Sequence, residues 1–103
     1  MKAASRTFRA LADPTRRQIL QDLKAGELTA GEITSRFSIS GPSISRHVAI
    51  LKSADLVSER RAGNRIFYRL ESDRIAASLG DFLGTVCPTQ IFYRRKAKKG
   101  SDS

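Results

Sequence analysis

Cysteine occurs once in the 103 residues, as Cys87, and histidine once, as His47; tryptophan is absent. A single thiol excludes an intrachain disulfide framework, and with a single imidazole it leaves too few ligands for a zinc site of the usual kind. Acidic residues are scarce beside basic ones: 10 Asp and Glu face 19 Lys and Arg, for a formal charge of +9. No apolar run approaches the ~20 residues of a membrane span. The N-terminus lacks the charged-then-apolar pattern of a secretion signal. The expected location is therefore the cytoplasm. No carboxylate pair, nucleophile–base set or phosphate-cradling glycine loop stands out, so an enzyme is not expected.

What remains is a small basic protein. A chain of 103 residues with 40% hydrophobic content suffices for one domain with one modest core. Residues 1–87 carry +5 and residues 88–103 carry +4, so the body is basic without help from the tail. Such a surface attracts polyanions, and charge alone does not choose among DNA, RNA and an anionic membrane.

Local signals divide the chain. Phe8 and Leu11 at helical spacing predict a first helix over Lys2–Ala12. Asp13-Pro14 is a capping residue followed by a residue at home in the first helical position, which predicts a second helix to about Leu23. Thr29-Ala-Gly-Glu32 has the form of a capping box. The short helix behind it places Ile33 and Phe37 on one face. After a turn of about three residues, Ser40 caps another helix with Pro42 in its first turn. Two helices so joined have helix-turn-helix geometry. Ile44, Val48 and Leu51 form the inner face of the second, while Pro42, Ser45, Arg46 and Ala49 lie opposite, Ser43 sits at the edge and His47 at the flank. Ile50 suits a position packed against a neighbouring element. Val57–Arg61 and Arg65–Leu70 read as two strands joined at Gly63-Asn64, both tolerant of positive φ. A last helix runs from Ser72 or Asp73 to about Val86, with Ile75, Leu79, Phe82, Leu83 and Val86 as a wide apolar stripe.

Chemistry concentrates in two places. On the second helix of the pair, Arg46 can bond a guanine edge bidentately, and Ser43 and Ser45 can reach bases or phosphates, with His47 beside them. On the hairpin, Arg60, Arg61, Asn64 and Arg65 suit phosphate contact or insertion into a minor groove. Arg69 is assigned to solvation or an ion pair. Thr29, Arg16 and Arg36 are further candidates for phosphates. The bland alternative for the helix is a solvated amphipathic face, and for the hairpin, protection of an exposed strand edge by charge. A basic RNA-binding protein and a redox-responsive regulator using Cys87 are the competing functions. Against the first, side chains cannot read the deep, narrow major groove of A-form RNA. Against the second, Cys87 has no resolving partner in the chain.

The string Phe8-Arg-Ala-Leu-Ala-Asp-Pro-Thr-Arg-Arg-Gln-Ile-Leu20, together with Ser40–Leu56 and the hairpin, resembles the ArsR/SmtB family of winged helix-turn-helix repressors over roughly residues 5 to 86. The resemblance implies a mainly α fold with a β-hairpin wing and a homodimer held by the first and last helices. Phe8, Leu79, Phe82, Leu83 and Val86 would then line the interface. It also implies a recognition helix in the major groove of double-stranded DNA, wings at the flanks, and repression of a promoter. Residues 1–87 form the DNA-binding and dimerisation domain in this reading, and residues 88–103 a basic, flexible tail. The departures concern metal. Where many members carry sensing cysteines, Glu27-Leu-Thr-Ala-Gly-Glu-Ile33 has none; Asp73 and Asp81 occupy the last helix, but no histidine accompanies them. No metal, no cofactor and no membrane partner are expected, as in the metal-independent branch of the family.

Overall fold

The computed structural model describes residues 2–88. The expected basic tail lies, apart from Pro88, outside the described residues.

Among the described residues, five helices and three short strands follow one another: α1 (Lys2–Leu11), α2 (Pro14–Leu23), β1 (Leu28–Thr29), α3 (Ala30–Thr34), α4 (Gly41–Ser53), β2 (Val57–Ala62), β3 (Arg65–Leu70) and α5 (Ser72–Val86). The caps act where the sequence put them. Asp13 accepts from the amides of Thr15 and Arg16 at 2.8 and 3.2 Å, and Pro14 starts α2 behind it. The Thr29 hydroxyl accepts from the Glu32 amide at 3.1 Å while the Glu32 carboxylate accepts from the Thr29 amide at 2.7 Å, closing the capping box.

Three local features depart from the sequence reading. First, the α-helical part of α3 stops at Thr34, and tighter i→i−3 bonds, Arg36 N to Ile33 O and Phe37 N to Thr34 O, carry the chain onward. The turn before α4 is correspondingly longer than three residues. Second, the wing has three strands in the order β1-β3-β2, all antiparallel. β1 pairs Leu28 with Tyr68 and Thr29 with Phe67, tying the loop before α3 to the hairpin. Third, positive φ is used at Gly63 (63°) but not at Asn64, the sign pattern of a type II′ turn.

α4 ends in a Schellman motif. Leu56 N donates to Leu51 O at 3.0 Å and Asp55 N to Lys52 O at 3.0 Å, with Asp55 in the left-handed region at φ 62°. The motif turns the chain sharply into β2.

Ala10 of α1, Ile19, Leu20 and Leu23 of α2, Ile33 of α3, Ile44, Val48 and Leu51 of α4, then Leu56 and Val57, form the buried core. Each fully buried aliphatic side chain contributes about 1.5–3 kcal/mol, so this cluster is what fixes α4 against α2 and α3. α5 lies on α1 at the edge of this core, packing Ile75 against it, and has no buried residue. Its Phe82 ring meets Phe8 edge-on at 5.1 Å, and both remain largely exposed together with Leu83 and Val86.

Candidate nucleic-acid interface

The outer face of α4 is prepared by its own cap. The Ser40 hydroxyl accepts from the Ser43 amide at 3.3 Å and donates to the Ser43 hydroxyl at 3.0 Å. Ser43 Oγ in turn accepts from Arg46 Nη2 at 3.3 Å. This chain steadies the first turn while Ser45 and Arg46 stay exposed. Arg46 has no carboxylate partner among the described residues, so most of its five donors are free for a ligand. The inner face, Ile44, Val48 and Leu51, is 4% exposed or less. The helix therefore presents one polar surface at a fixed angle.

His47 is placed differently from Arg46. It is half-buried, and its Nδ1 lies 3.2 Å from Arg16 Nη1. Because an arginine only donates, Nδ1 is the acceptor and the ring proton sits on Nε2. Arg16 also donates through Nε to Ala10 O at 2.7 Å and through Nη2 to Arg9 O at 3.0 Å. Its neighbour Arg17 donates to Leu11 O at 2.6 Å. Two guanidinium groups from α2 thus satisfy the carbonyls that α1 leaves open at its C-terminal end. Arg16, a sequence candidate for phosphate contact, is instead the strut joining α1, α2 and α4. Next to it, lost hydration pushes the Asp13 carboxyl up, but the hydrogen bonds from the Arg16 and Thr15 amides and the nearby Arg16 charge outweigh this and hold it below its ordinary value.

The wing separates its arginines by role. Arg60 stands opposite Phe67 in the β2–β3 register, with its guanidinium carbon 4.4 Å from the ring centroid. It also donates to both Glu27 oxygens at 2.9 and 3.2 Å. Sequence spacing placed Arg60 at the tip with the others; the structure folds it back onto the loop before β1. The hydrogen bond to Arg60 lowers the Glu27 pKa most strongly and raises that of Arg60 in return. Arg61, Asn64 and Arg65 are exposed at the far end of the hairpin. Arg61 has only a 3.8 Å approach to Glu59, a carboxylate already held by Lys52. Arg69 pairs with Glu71 at 3.4 Å, the ion pair its sequence position suggested. The Thr29 hydroxyl accepts from the Glu32 amide in the capping box, and Arg36 lies 3.8 Å from Asp22.

Ile50, read as packed against a neighbour, is 40% exposed. With Ala49, Ser53 and Ala54 it lines a half-open groove of about 210 Å³ whose other wall is Arg6 and Arg9 of α1. Sequence reasoning gave these two arginines no role. Cys87 is a free, half-buried thiol at the C-cap of α5. Among the described residues no three His, Cys, Asp or Glu side chains converge on a common point, and no helix is long and apolar enough to cross a membrane.

Known proteins share this arrangement. A family profile described as a helix-turn-helix domain matches residues 11–60. Over 79 residues the chain is 46% identical to the transcriptional repressor SdpR of Bacillus subtilis, covering 77% of this chain and 88% of that protein. Over 76 residues it is 41% identical to the HTH-type transcriptional regulator Rv2034 of Mycobacterium tuberculosis, covering 74% and 71%. Among solved structures, the ArsR family transcriptional regulator RHA00566 matches with a TM-score of 0.75 at 25% identity, over 90% of this chain and 92% of that one. A capped helix-turn-helix, a wing with an exposed basic tip and these likenesses converge: the chain belongs to the ArsR/SmtB family of winged helix-turn-helix repressors and is a DNA-binding transcriptional regulator, not an enzyme.

Proposed function

We propose that the protein works in the cytoplasm as a homodimeric repressor that reads an inverted-repeat operator without a metal sensor, residues 1–87 supplying both DNA binding and dimerisation. The observation that carries the reading is the free outer face of α4. Arg46 is held only by Ser43, and Ser45 is exposed beside it. Arg46 supplies bidentate contact to a guanine edge, and Ser43 and Ser45 supply shorter hydrogen bonds. Arg61, Asn64 and Arg65 contact phosphates or the adjoining minor groove. His47 contributes by keeping α4 seated on Arg16 and by presenting Nε2–H at the edge of the interface.

Dimerisation is supported by the apolar face that the single chain leaves open. Phe8 is 39% exposed, Phe82 43%, Leu83 38% and Val86 62%, and all belong to the paired helices α1 and α5. Leu79, half-buried on α5, extends this face. A contiguous apolar surface of this kind needs cover. A two-fold dimer places its recognition helices ~34–36 Å apart, one turn of B-DNA. Sedimentation of Phe82→Asp against the unmodified protein tests the assembly. Loss of the dimer together with ~10-fold or greater loss of operator affinity supports it, and an unchanged dimer refutes the assigned face.

A further inference from the structure

Most arginines among the described residues are already engaged. Arg16 and Arg17 hold the end of α1, Arg60 pairs with Glu27, Arg61 with Glu59, Arg69 with Glu71, Arg36 with Asp22 and Arg74 with Asp55. Among the described residues four form no salt bridge and no backbone hydrogen bond through the guanidinium: Arg46 on the recognition helix, Arg65 on the wing, and Arg6 and Arg9 on α1. The first two face the DNA in the reading above. The second two form one wall of the groove whose other wall is Ala49, Ile50 and Ser53. Those three positions follow Arg46 by three, four and seven residues, so they continue the face of α4 that carries Arg46 toward its C-terminus. Their side chains are short or apolar and leave the groove open, and no acidic residue lines it.

From this placement we propose that Arg6 and Arg9 form a second phosphate-binding edge, gripping the sugar–phosphate backbone where it leaves the major groove beside the C-terminal half of α4. The proposal rests on the operator-binding reading and extends its footprint from the wing to the dimerisation helix. Two guanidinium groups one turn apart on α1 match the demand of a phosphate run, which needs donors and charge but no base recognition. Because α1 also pairs with α5 through Phe8, the backbone contact joins DNA occupancy directly to the helix layer that carries the exposed apolar face.

The test uses the full-length chain on a duplex selected from a random pool, with affinity measured across a salt series. Arg6→Ala/Arg9→Ala is expected to lower affinity while keeping the base preference. It should flatten the salt slope by roughly 0.9 for each phosphate that is no longer neutralised, or about 3.6 when all four such phosphates of a dimer's site go free. Arg6→Lys/Arg9→Lys, which keeps the charge, is expected to restore most of the slope, and Ile50→Glu to lower affinity by placing a carboxylate in the groove. A double alanine variant with the original slope and affinity overturns the proposal. In that case Arg46→Ala on the same duplex still reports on the recognition helix: loss of base preference there leaves the operator reading standing. If the unmodified protein selects no duplex, both fall.

Discussion

Arg16→Ala is the substitution that most directly tests how the recognition helix is held. Its guanidinium makes bonds of 2.7, 3.0 and 3.2 Å to Ala10 O, Arg9 O and His47 Nδ1. A hydrogen bond from a charged donor contributes about 1.5–3 kcal/mol when well shielded. Here water reaches part of the site and can replace the donor at the exposed Arg9 carbonyl, so the three together are worth about 2–3 kcal/mol. For a domain of this size that corresponds to a fall in Tm of roughly 10–20 °C, measured at fixed protein concentration because dimerisation shifts apparent stability. His47→Ala alone removes one of the three bonds and should cost about 1 kcal/mol. In the double variant the two effects should not add, with a coupling energy on the order of 0.5–1.5 kcal/mol. His47→Asn, whose side-chain oxygen falls near the Nδ1 position, should recover much of the stability. Thermal melts and operator affinity read all four proteins. A Tm change under ~2 °C for Arg16→Ala, or strict additivity of the two substitutions, would refute the strut.

Three further outcomes follow from the geometry. Asp55→Gly should stabilise the protein by about 0.5–1 kcal/mol, because Asp55 holds a left-handed backbone that glycine adopts freely and its 3.9 Å contact with Arg74 is exposed on both sides; a lower Tm would contradict this. Glu27, Glu32, Glu59 and Glu71 are held below their ordinary 4.5 and Asp13 below 3.8. A carboxylate whose folded pKa is depressed stabilises the fold fully above its unfolded value and loses that contribution as pH falls through the folded one. Acid unfolding should therefore set in below about pH 4.5, and a carboxylate-linked destabilisation beginning above about pH 6 would rule this out. Arg60→Ala should mainly reduce stability by freeing Glu27 and baring Phe67, whereas Arg61→Ala should leave stability unchanged and flatten the salt slope of DNA binding by roughly 0.9 per phosphate released. Equal effects of the two on that slope would erase the distinction drawn between them.

Much of this was legible in the sequence because it is local. Asp13, Thr29 and Ser40 cap the helices that follow them within three residues, and the inner face of α4 repeats at helical spacing. Those two facts alone define the helix-turn-helix. The third strand was not legible, since Leu28–Thr29 is too short to show a period and exists only through its pairing with Tyr68 and Phe67. Nor were the roles of the arginines. Glu27 is 33 residues from Arg60, and His47 is 31 from Arg16. A charge run in sequence does not say which of its members finds a carboxylate or a helix end. Only once the engaged arginines are set aside do Arg6 and Arg9, unmarked by any motif, join Arg46 and Arg65 as arginines without a salt bridge among the described residues.

In the proposed function, α4 reads base sequence through Arg46 in a two-fold dimer. Selection of duplexes from a random pool at about 150 mM salt, with chelator present and the Arg46→Ala variant run in parallel, tests it most directly. The expected outcome is a pseudo-palindrome with half-sites about 10–10.5 base pairs apart, and relaxed preference at one position per half-site for the variant at a cost of ~1–3 kcal/mol. No enriched duplex, or the same site selected with equal strength by Arg46→Ala, would contradict it.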